Sequence, residues 1–164
     1  MTLIAPVLRY ELIDGMYLLT PPPTLLHQVA AAELSYVLRQ NRPAGCRVLL
    51  APMDYRPTSI RSLQPDVMVA TRDDPGPDAL RLPLLLAVEI TSPDTQMVDR
   101  LLKRAIYEES GVGSYWLFDP ELLVLTVLEL VDGRYVERAV VEGDEEFEAE
   151  LPFEVLVVPA ELVG

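Results

Sequence analysis

The stretch LPLLLAVEITSPDTQMVDRLLKRAIYEESGVGSYWLF, residues 82–118, decides the fold of this chain. Residues 82–91 are too apolar for a strand with one face in water, so they predict a strand in the centre of a sheet. The residues SPDT at 92–95 are suited to cap a helix over about 95–110. SYWLF at 114–118 then predicts a second strand. A strand, a helix and a strand in this order indicate a right-handed βαβ crossover.

The regions on both sides of this stretch are rich in predicted strands. The Asp-Gly pairs at 14–15 and 132–133 lie between β-prone residues, which predicts two-residue hairpin turns. Further elements are a helix over about 25–40 after Thr24 as N-cap, and strands at 46–56, at 66–70 and near 155–158. The pattern predicts an α/β fold in a single domain over residues 1–164: a mixed β-sheet flanked by helices, with added β-hairpins.

The charge of the chain limits the function classes that fit it. The formal net charge is −13, from 13 basic and 26 acidic residues, which argues against strong nonspecific binding to nucleic acid. The charge is uneven, because the segment EGDEEFEAE at 142–150 contains six acids and no base. A nucleic-acid substrate must therefore be argued from a particular site.

The metal-binding residue types are also limited. Cys46 is the single cysteine and His27 the single histidine, so the chain has neither an internal disulfide nor a zinc cluster of cysteines and histidines. A metal site must then be built from carboxylates, which favours Mg²⁺ or Mn²⁺ over zinc.

The apolar residues occur in short runs, and no run reaches the roughly 18 residues that a membrane-spanning helix needs. The beginning of the chain does not have the features of a signal peptide. We therefore expect a cytoplasmic protein with no membrane association. Half of the residues are apolar, and because this excess needs a surface to bury it, we expect a homodimer.

Two carboxylates occupy unusual places. Asp66 follows Pro65 at the edge of a strand, and Glu89 lies inside the apolar strand 82–91. A buried carboxylate is costly unless it is paired, hydrogen-bonded or bound to a metal. Neighbouring strands could bring both acids to one end of the sheet, where they would suit Mg²⁺. The alternative is that Glu89 pairs with an arginine and that Asp66 only caps a turn.

Lys103 is the single lysine among 13 basic residues. A lysine can exchange a proton where an arginine cannot, so a lysine kept in an arginine-rich chain is a catalytic candidate. Asp99 and Lys103 are spaced i and i+4 on one side of the predicted helix. The apolar positions predict a buried face formed by Val98, Leu101, Leu102, Ala105 and Ile106. The alternative is an ordinary surface pair of Asp99 with Lys103.

Taken together, these motifs resemble the Uma-type restriction endonuclease family, which belongs to the PD-(D/E)XK nuclease superfamily. The matching segments are QPD at 64–66, VEITSPDT at 88–95, D-x-x-x-K at 99–103, YWLFDP at 115–120, YELIDG at 10–15 and P-x-x-x-H-Q at 23–28. The resemblance implies a restriction-endonuclease-like fold in which Asp66 and Glu89 bind Mg²⁺. Thr91 stands where the lysine of the E-x-K motif belongs, and Lys103 on the following helix fits as its replacement.

Three further residues are candidates for the same site. A histidine recurs at the position of His27 in the family that the chain resembles, and the alternative is a structural hydrogen bond at the start of the first helix. A helix glutamate joins the metal site in some relatives of the superfamily, which makes Glu33 a candidate, although an exposed side chain is the alternative. Asp99 is the third candidate, through its spacing from Lys103.

Two functions follow as hypotheses. The first is a Mg²⁺-dependent endonuclease that hydrolyses DNA phosphodiester bonds, with Asp66, Glu89 and Lys103 as catalytic residues and with the metal held by Asp66, Glu89 and the carbonyl of Ile90. The second is a catalytically inactive nuclease-fold module that serves in protein binding or assembly. The acidic charge favours the second hypothesis, and the complete set of Asp, Glu and Lys favours the first.

Overall fold

The structure is a computed structural model that describes residues 8–20, 22–92 and 97–164, and in residues 98–100 only the backbone. The strands are β1 (Arg9–Ile13), β2 (Met16–Thr20), β3 (Cys46–Leu50), β4 (Asp54–Thr58), β5 (Arg61–Leu63), β6 (Val67–Thr71), β7 (Ala79–Leu80), β8 (Leu86–Ile90), β9 (Ser114–Asp119), β10 (Val124–Val131), β11 (Arg134–Glu142), β12 (Phe147–Ala149) and β13 (Val155–Val157). The helices are α1 (Leu25–Asn41), a π-helical segment Val98–Lys103 that continues into α2 (Arg104–Glu109), and a short 3₁₀ helix Pro159–Val163.

The largest sheet has six strands in the order β11-β10-β9-β8-β6-β3. Strand β8 pairs in parallel with β9 and antiparallel with β6, so the sheet is mixed. All five residues of β8 are buried, and four of them are apolar, as a central strand requires. The predicted α/β class and mixed sheet are therefore confirmed. The parallel pairing of β8 with β9 across the helical segment is the expected crossover.

A second sheet has five strands in the order β2-β1-β5-β4-β7. The hairpin of β1 and β2 turns at Asp14 (φ 50°) and Gly15 (φ 82°). The hairpin of β10 and β11 turns at Asp132 (φ 50°) and Gly133 (φ 78°). Positive φ at both central residues is the requirement of the tight hairpin turn that Asp-Gly favours, so both predicted hairpins are confirmed.

The predicted strand at 46–56 is wrong in one respect, because the structure divides it between the two sheets. Strand β3 pairs with β6, and β4 pairs with β5 and β7. The peptide bond between Ala51 and Pro52 is cis and lies at the point of division. Proline has no N–H to donate to a strand ladder, so the ladder cannot pass through this position.

The two faces of the six-stranded sheet have different partners. One face packs on α1, whose buried residues include Ala30, Leu34 and Leu38. Thr24 caps that helix by accepting a hydrogen bond from the backbone N–H of His27 at 3.2 Å. The other face packs on the five-stranded sheet and α2. Because side chains alternate along a strand, Glu89 shares this second face with Ala87, toward the five-stranded sheet.

The predicted buried face of the second helix is confirmed for Ile106 and wrong for Leu101, Leu102 and Ala105. Leu101 is 68 % exposed and Leu102 is 41 % exposed, whereas Lys103 and Ile106 are buried. Ala105 is exposed, and the side chain of Val98 lies outside the described residues, as do the predicted cap residues 93–95. The backbone here is π-helical rather than α-helical, and the wider turn breaks the spacing of 100° per residue on which the prediction rested.

In the parts of the chain that the structure describes, no helix is long and apolar enough to cross a membrane.

Gly111 ends α2 and has φ +76°, a conformation that costs an L-residue about 1–2 kcal/mol. A Cβ atom there would meet only Pro83, at 3.9 Å, so Gly111→Ala is expected to lower the free energy of unfolding through backbone strain alone. Gly45→Ala is the matched control, because Gly45 has no positive φ and no heavy atom near its Cβ position. Urea unfolding of both variants tests this, and equal stability of the two would contradict it.

Candidate active site

A cluster of buried charges lies where the two sheets and the helical segment meet. Glu11 is 1 % exposed, Asp66 4 %, Glu89 2 % and Lys103 4 %. Glu11 belongs to β1, Asp66 immediately precedes β6, Glu89 belongs to β8, and Lys103 ends the π-helical segment. Four charged side chains from four elements therefore share an interior from which water is largely excluded.

Lys103 is the centre of this cluster. Its Nζ atom lies 3.0 Å from Oε2 of Glu11 and 3.1 Å from Oε2 of Glu89. Lys103 is buried and bridges two carboxylates, so it is not the ordinary surface residue of the alternative interpretation. The side chain of Asp99 lies outside the described residues. The position of Lys103 also explains the orientation of its helix, since a helix that turns Lys103 inward turns Leu101 and Leu102 outward.

Glu89 is held from two sides. One carboxylate oxygen faces Lys103, and the other, Oε1, accepts a hydrogen bond from the hydroxyl of Tyr107 at 2.7 Å. Lys103 and Tyr107 are spaced i and i+4, which places both on the same side of the helical segment. Burial raises the pKa of Tyr107 well above its ordinary value, and the charges of Glu89 and Glu11 raise it further, so the hydroxyl remains a donor. Glu89 is thus paired with a lysine, whereas the alternative to a metal site was a pair of Glu89 with an arginine.

Asp66 is fixed by three donors. The backbone N–H of Ile90 donates to Oδ2 at 2.7 Å, Arg9 Nη1 donates to Oδ1 at 2.8 Å, and His27 Nε2 lies 3.2 Å from Oδ2. Burial alone would raise the pKa of Asp66, but the hydrogen bond and charge of His27 and the charges of Arg9 and Lys103 outweigh it and hold that pKa below its ordinary value. Asp66 therefore links strand β8 to the histidine of α1, instead of only capping a turn.

The remaining candidates from the sequence divide into two groups. The structure brings His27 to the site through its contact with Asp66, and it brings Ile90 there through its backbone N–H. Glu33 is half-buried on α1, and none of the contacts described for the cluster involves it. The catalytic or metal-binding roles of His27, Ile90 and Glu33 stay predictions.

The sequence analysis missed Arg9, Glu11 and Tyr107. Glu11 is in phase with Ile13 in a strand whose side chains alternate, so it had to share the inward face with that buried isoleucine. Arg9 lies on the same face and reaches Asp66 and the backbone carbonyl of Gln64. Burial lowers the pKa of Arg9, but the charges of Asp66, Glu89 and Glu11 outweigh it and raise that pKa. The alternation of β1 was the available signal.

The donor chemistry of the cluster suits a hard divalent cation. Among the described residues no group of three or more His, Cys, Asp or Glu side chains converges as a ready-made metal site. Mg²⁺, however, is commonly bound through one or two carboxylates, with water and substrate phosphate completing its shell. Oε2 of Glu11 is buried and faces the amine of Lys103 at 3.0 Å, with no other partner among the described residues. The residues present therefore fit Mg²⁺ or Mn²⁺.

The fold belongs to the α/β class and is similar to that of a protein of known structure, described as a putative nuclease belonging to DUF820 from Anabaena variabilis ATCC 29413. The TM-score is 0.73 at 19 % identity, over 94 % of this chain and 89 % of that chain. The chain belongs to the Uma2 family, described as "putative restriction endonuclease", whose profile matches residues 2–161. No curated protein sequence matches the chain.

Lys103→Met tests the electrostatic role of the lysine in the fold. The variant leaves Glu11 and Glu89 as buried carboxylates without their shared cation, so we expect the free energy of unfolding to fall by about 3–5 kcal/mol in metal-free buffer. Arg134→Met is the matched control, because Arg134 is 83 % exposed and its pair with Glu108 contributes little. The measurement is urea unfolding at neutral pH, and equal losses in the two variants would refute the prediction.

Proposed function

We propose that this protein is a Mg²⁺-dependent endonuclease that hydrolyses DNA phosphodiester bonds, with its active site at Asp66, Glu89 and Lys103. The observation that carries the proposal is the burial of a lysine against Glu89, with Asp66 tied to the next residue, Ile90. Isolated buried charges are costly, and perturbed ionisable clusters of this kind are common at functional sites. Membership of the Uma2 family and similarity to a putative nuclease support it.

The local charge of the site is compatible with a phosphate substrate. The described cluster pairs the acids Glu11, Asp66 and Glu89 with the bases Arg9 and Lys103 and with His27. Three acids therefore face two cations, Arg9 and Lys103, in the described part of the site. A phosphodiester entering here would meet cations that can be redirected from the carboxylates toward its oxygens.

The metal would be held by the carboxylates of Asp66 and Glu89 and by the carbonyl of Ile90. When bound, it supplies an activated water and neutralises charge that develops on the phosphate. Lys103 would orient the attacking water, or would accept its proton as a neutral amine after the bound metal has taken over the charge of Glu89 and Lys103 has released its own proton to solvent, and Glu11 would keep the amine in place. Tyr107 would hold Glu89 in one orientation, because its hydroxyl is fixed on one carboxylate oxygen.

The central experiment compares cleavage with metal binding. We expect the wild-type protein to cleave plasmid DNA with Mg²⁺ and to stop when the metal is chelated. Asp66→Asn should lose Mn²⁺ binding in calorimetry, together with cleavage. Lys103→Arg keeps the charge but cannot accept a proton, so it should keep Mn²⁺ binding and lose about 100-fold or more in rate.

The outcomes separate the proposal from its alternatives. Cleavage by Lys103→Arg at the wild-type rate would refute the role of the lysine. Cleavage of an RNA of the same sequence, but not of DNA, would correct the substrate. Stable folding without Mn²⁺ binding or cleavage in the wild-type protein would favour the second hypothesis, an inactive nuclease-fold module in protein binding or assembly.

The large apolar side chains on the surface support the expectation of a homodimer. Several are more than half exposed, among them Met16, Leu25, Leu101 and Leu122. A stable interface would bury more than about 1,000 Å² in total. Light scattering at micromolar concentration should therefore give twice the monomer mass of 18.3 kDa. A monomer mass across the accessible concentration range would contradict this expectation.

A further inference from the structure

Strand β2 forms an open edge of the five-stranded sheet. The strand order is β2-β1-β5-β4-β7, and among the described residues β1 is the strand that pairs with β2. Met16 is 72 % exposed, Tyr17 is 75 % exposed and Leu19 is 53 % exposed. The strand therefore presents apolar side chains and one side of its backbone to solvent, and the proposed active site does not use them.

The register of the hairpin shows which backbone groups point to this open side. The two-residue turn closes with a hydrogen-bonded pair that includes Met16, and bonded and non-bonded pairs alternate from there along the strands. Leu18 therefore bonds to β1. The N–H and C=O groups of Tyr17 and Leu19 point away from β1, so they are available for another strand.

Open edges in soluble proteins usually carry a feature that prevents strand pairing, such as a charge, a proline, a bulge or a short length. The other edges of the described sheets have such features. Strand β11 has exposed charges and a register shift against β10, β3 has the exposed Arg47, and β7, β12 and β13 have two or three residues each. Strand β2, MYLLT, has five residues, no charge and no proline, and its register against β1 is regular. It is therefore the described edge that is most open to pairing.

The local charge favours a second copy of this chain as the partner. Two chains that each carry a net charge of −13 repel each other, so they approach most easily through surfaces without unpaired acids. Strand β2 contains no charged residue. The two acids of the β1–β2 hairpin are already paired, Asp14 with Arg61 at 2.6 Å and Glu11 with Lys103 at 3.0 Å. Two copies can therefore meet through this edge with little repulsion.

The strand is also complementary to itself. When a two-fold axis passes beside Leu18, Tyr17 of each copy lies opposite Leu19 of the other, and these are the residues whose backbone groups are available. Each of these pairs can exchange both N–H···O bonds, and the ring of Tyr17 can pack on the opposite leucine. Because each copy has one such edge, the pairing closes at a dimer.

We propose that two copies of this chain pair antiparallel through β2 and join their five-stranded sheets into one continuous sheet. The proposal rests on the homodimer expected above and names the surface through which that dimer forms. Association is measured in chelating buffer without nucleic acid, so the result does not depend on whether the chain cleaves DNA.

Light scattering of the full chain over about 1–100 µM tests the proposal, because dimerisation follows mass action. Leu19→Lys should weaken dimerisation about tenfold or more, since it would bury an ammonium group beside Tyr17 of the partner subunit. Tyr17→Lys carries the same test if Leu19→Lys does not fold. Val136→Lys is the matched control, because Val136 is 51 % exposed on the edge strand β11, and it should dimerise as the wild type does.

Hydrogen exchange tests the strand pairing itself. The N–H groups of Tyr17 and Leu19 should be protected at concentrations at which the wild type is a dimer, and they should exchange freely on dilution. The N–H of Tyr17 should lose its protection in Leu19→Lys. The N–H of Leu18 is the internal reference, because its bond to β1 should protect it in the monomer and in the dimer.

Several results would overturn the proposal. One is a monomer mass for the wild type at every concentration, and another is equal weakening of the dimer by Val136→Lys. A dimer in which the N–H groups of Tyr17 and Leu19 exchange freely would show that the copies meet through another surface. Masses that grow beyond the dimer would show open-ended association instead of a closed pair.

Discussion

The ammonium group of Lys103 lies between the carboxylates of Glu11 and Glu89, and the rest of the structure depends on this interaction. Each of the three residues belongs to a different part of the fold: the five-stranded sheet, the six-stranded sheet and the helical segment. A buried carboxylate without a cation would be strongly destabilising, and so would a buried ammonium without an anion. The three elements can therefore pack together only in the arrangement that brings these charges into contact.

This constraint explains features that hydrophobicity alone does not. Leu101 and Leu102 are more exposed than apolar residues usually are, because the helical segment must turn Lys103 and Tyr107 toward the sheets. Tyr107 adds a hydrogen bond to the far side of Glu89, which keeps that carboxylate from rotating away from the lysine. The two leucines remain exposed because leaving the buried charges without partners would cost more free energy than burying the leucines would gain.

The same organisation separates local charge from total charge. The chain is strongly acidic, yet in the buried cluster Arg9 and Lys103 lie among the acids, and His27 lies 3.2 Å from Asp66. Strand β1 supplies both Arg9 and Glu11 to this cluster, because every second side chain of a strand points to the same side of the sheet. Net charge therefore does not describe how charges are paired inside this cluster.

The sequence by itself determined the elements and their class. The apolar run around Glu89, the Asp-Gly turns and the cap at Thr24 are local signals, and physical chemistry over a few residues is enough to read them. The sequence also indicated Asp66, Glu89 and Lys103 as candidate site residues, since a charge in an apolar strand and a single lysine are visible without coordinates.

Only the tertiary structure decided which partners these charges have. Glu11 and Arg9 lie far from the other site residues in the chain, and nothing local indicates that β1 covers the end of β6 and β8. The face of the helix toward the core was also decided there, because pairing of Lys103 with two distant carboxylates outweighs the local apolar pattern. Local periodicity records the preference of a segment for water or for a core, whereas the pairing of buried charges is a property of elements that meet only when the chain has folded.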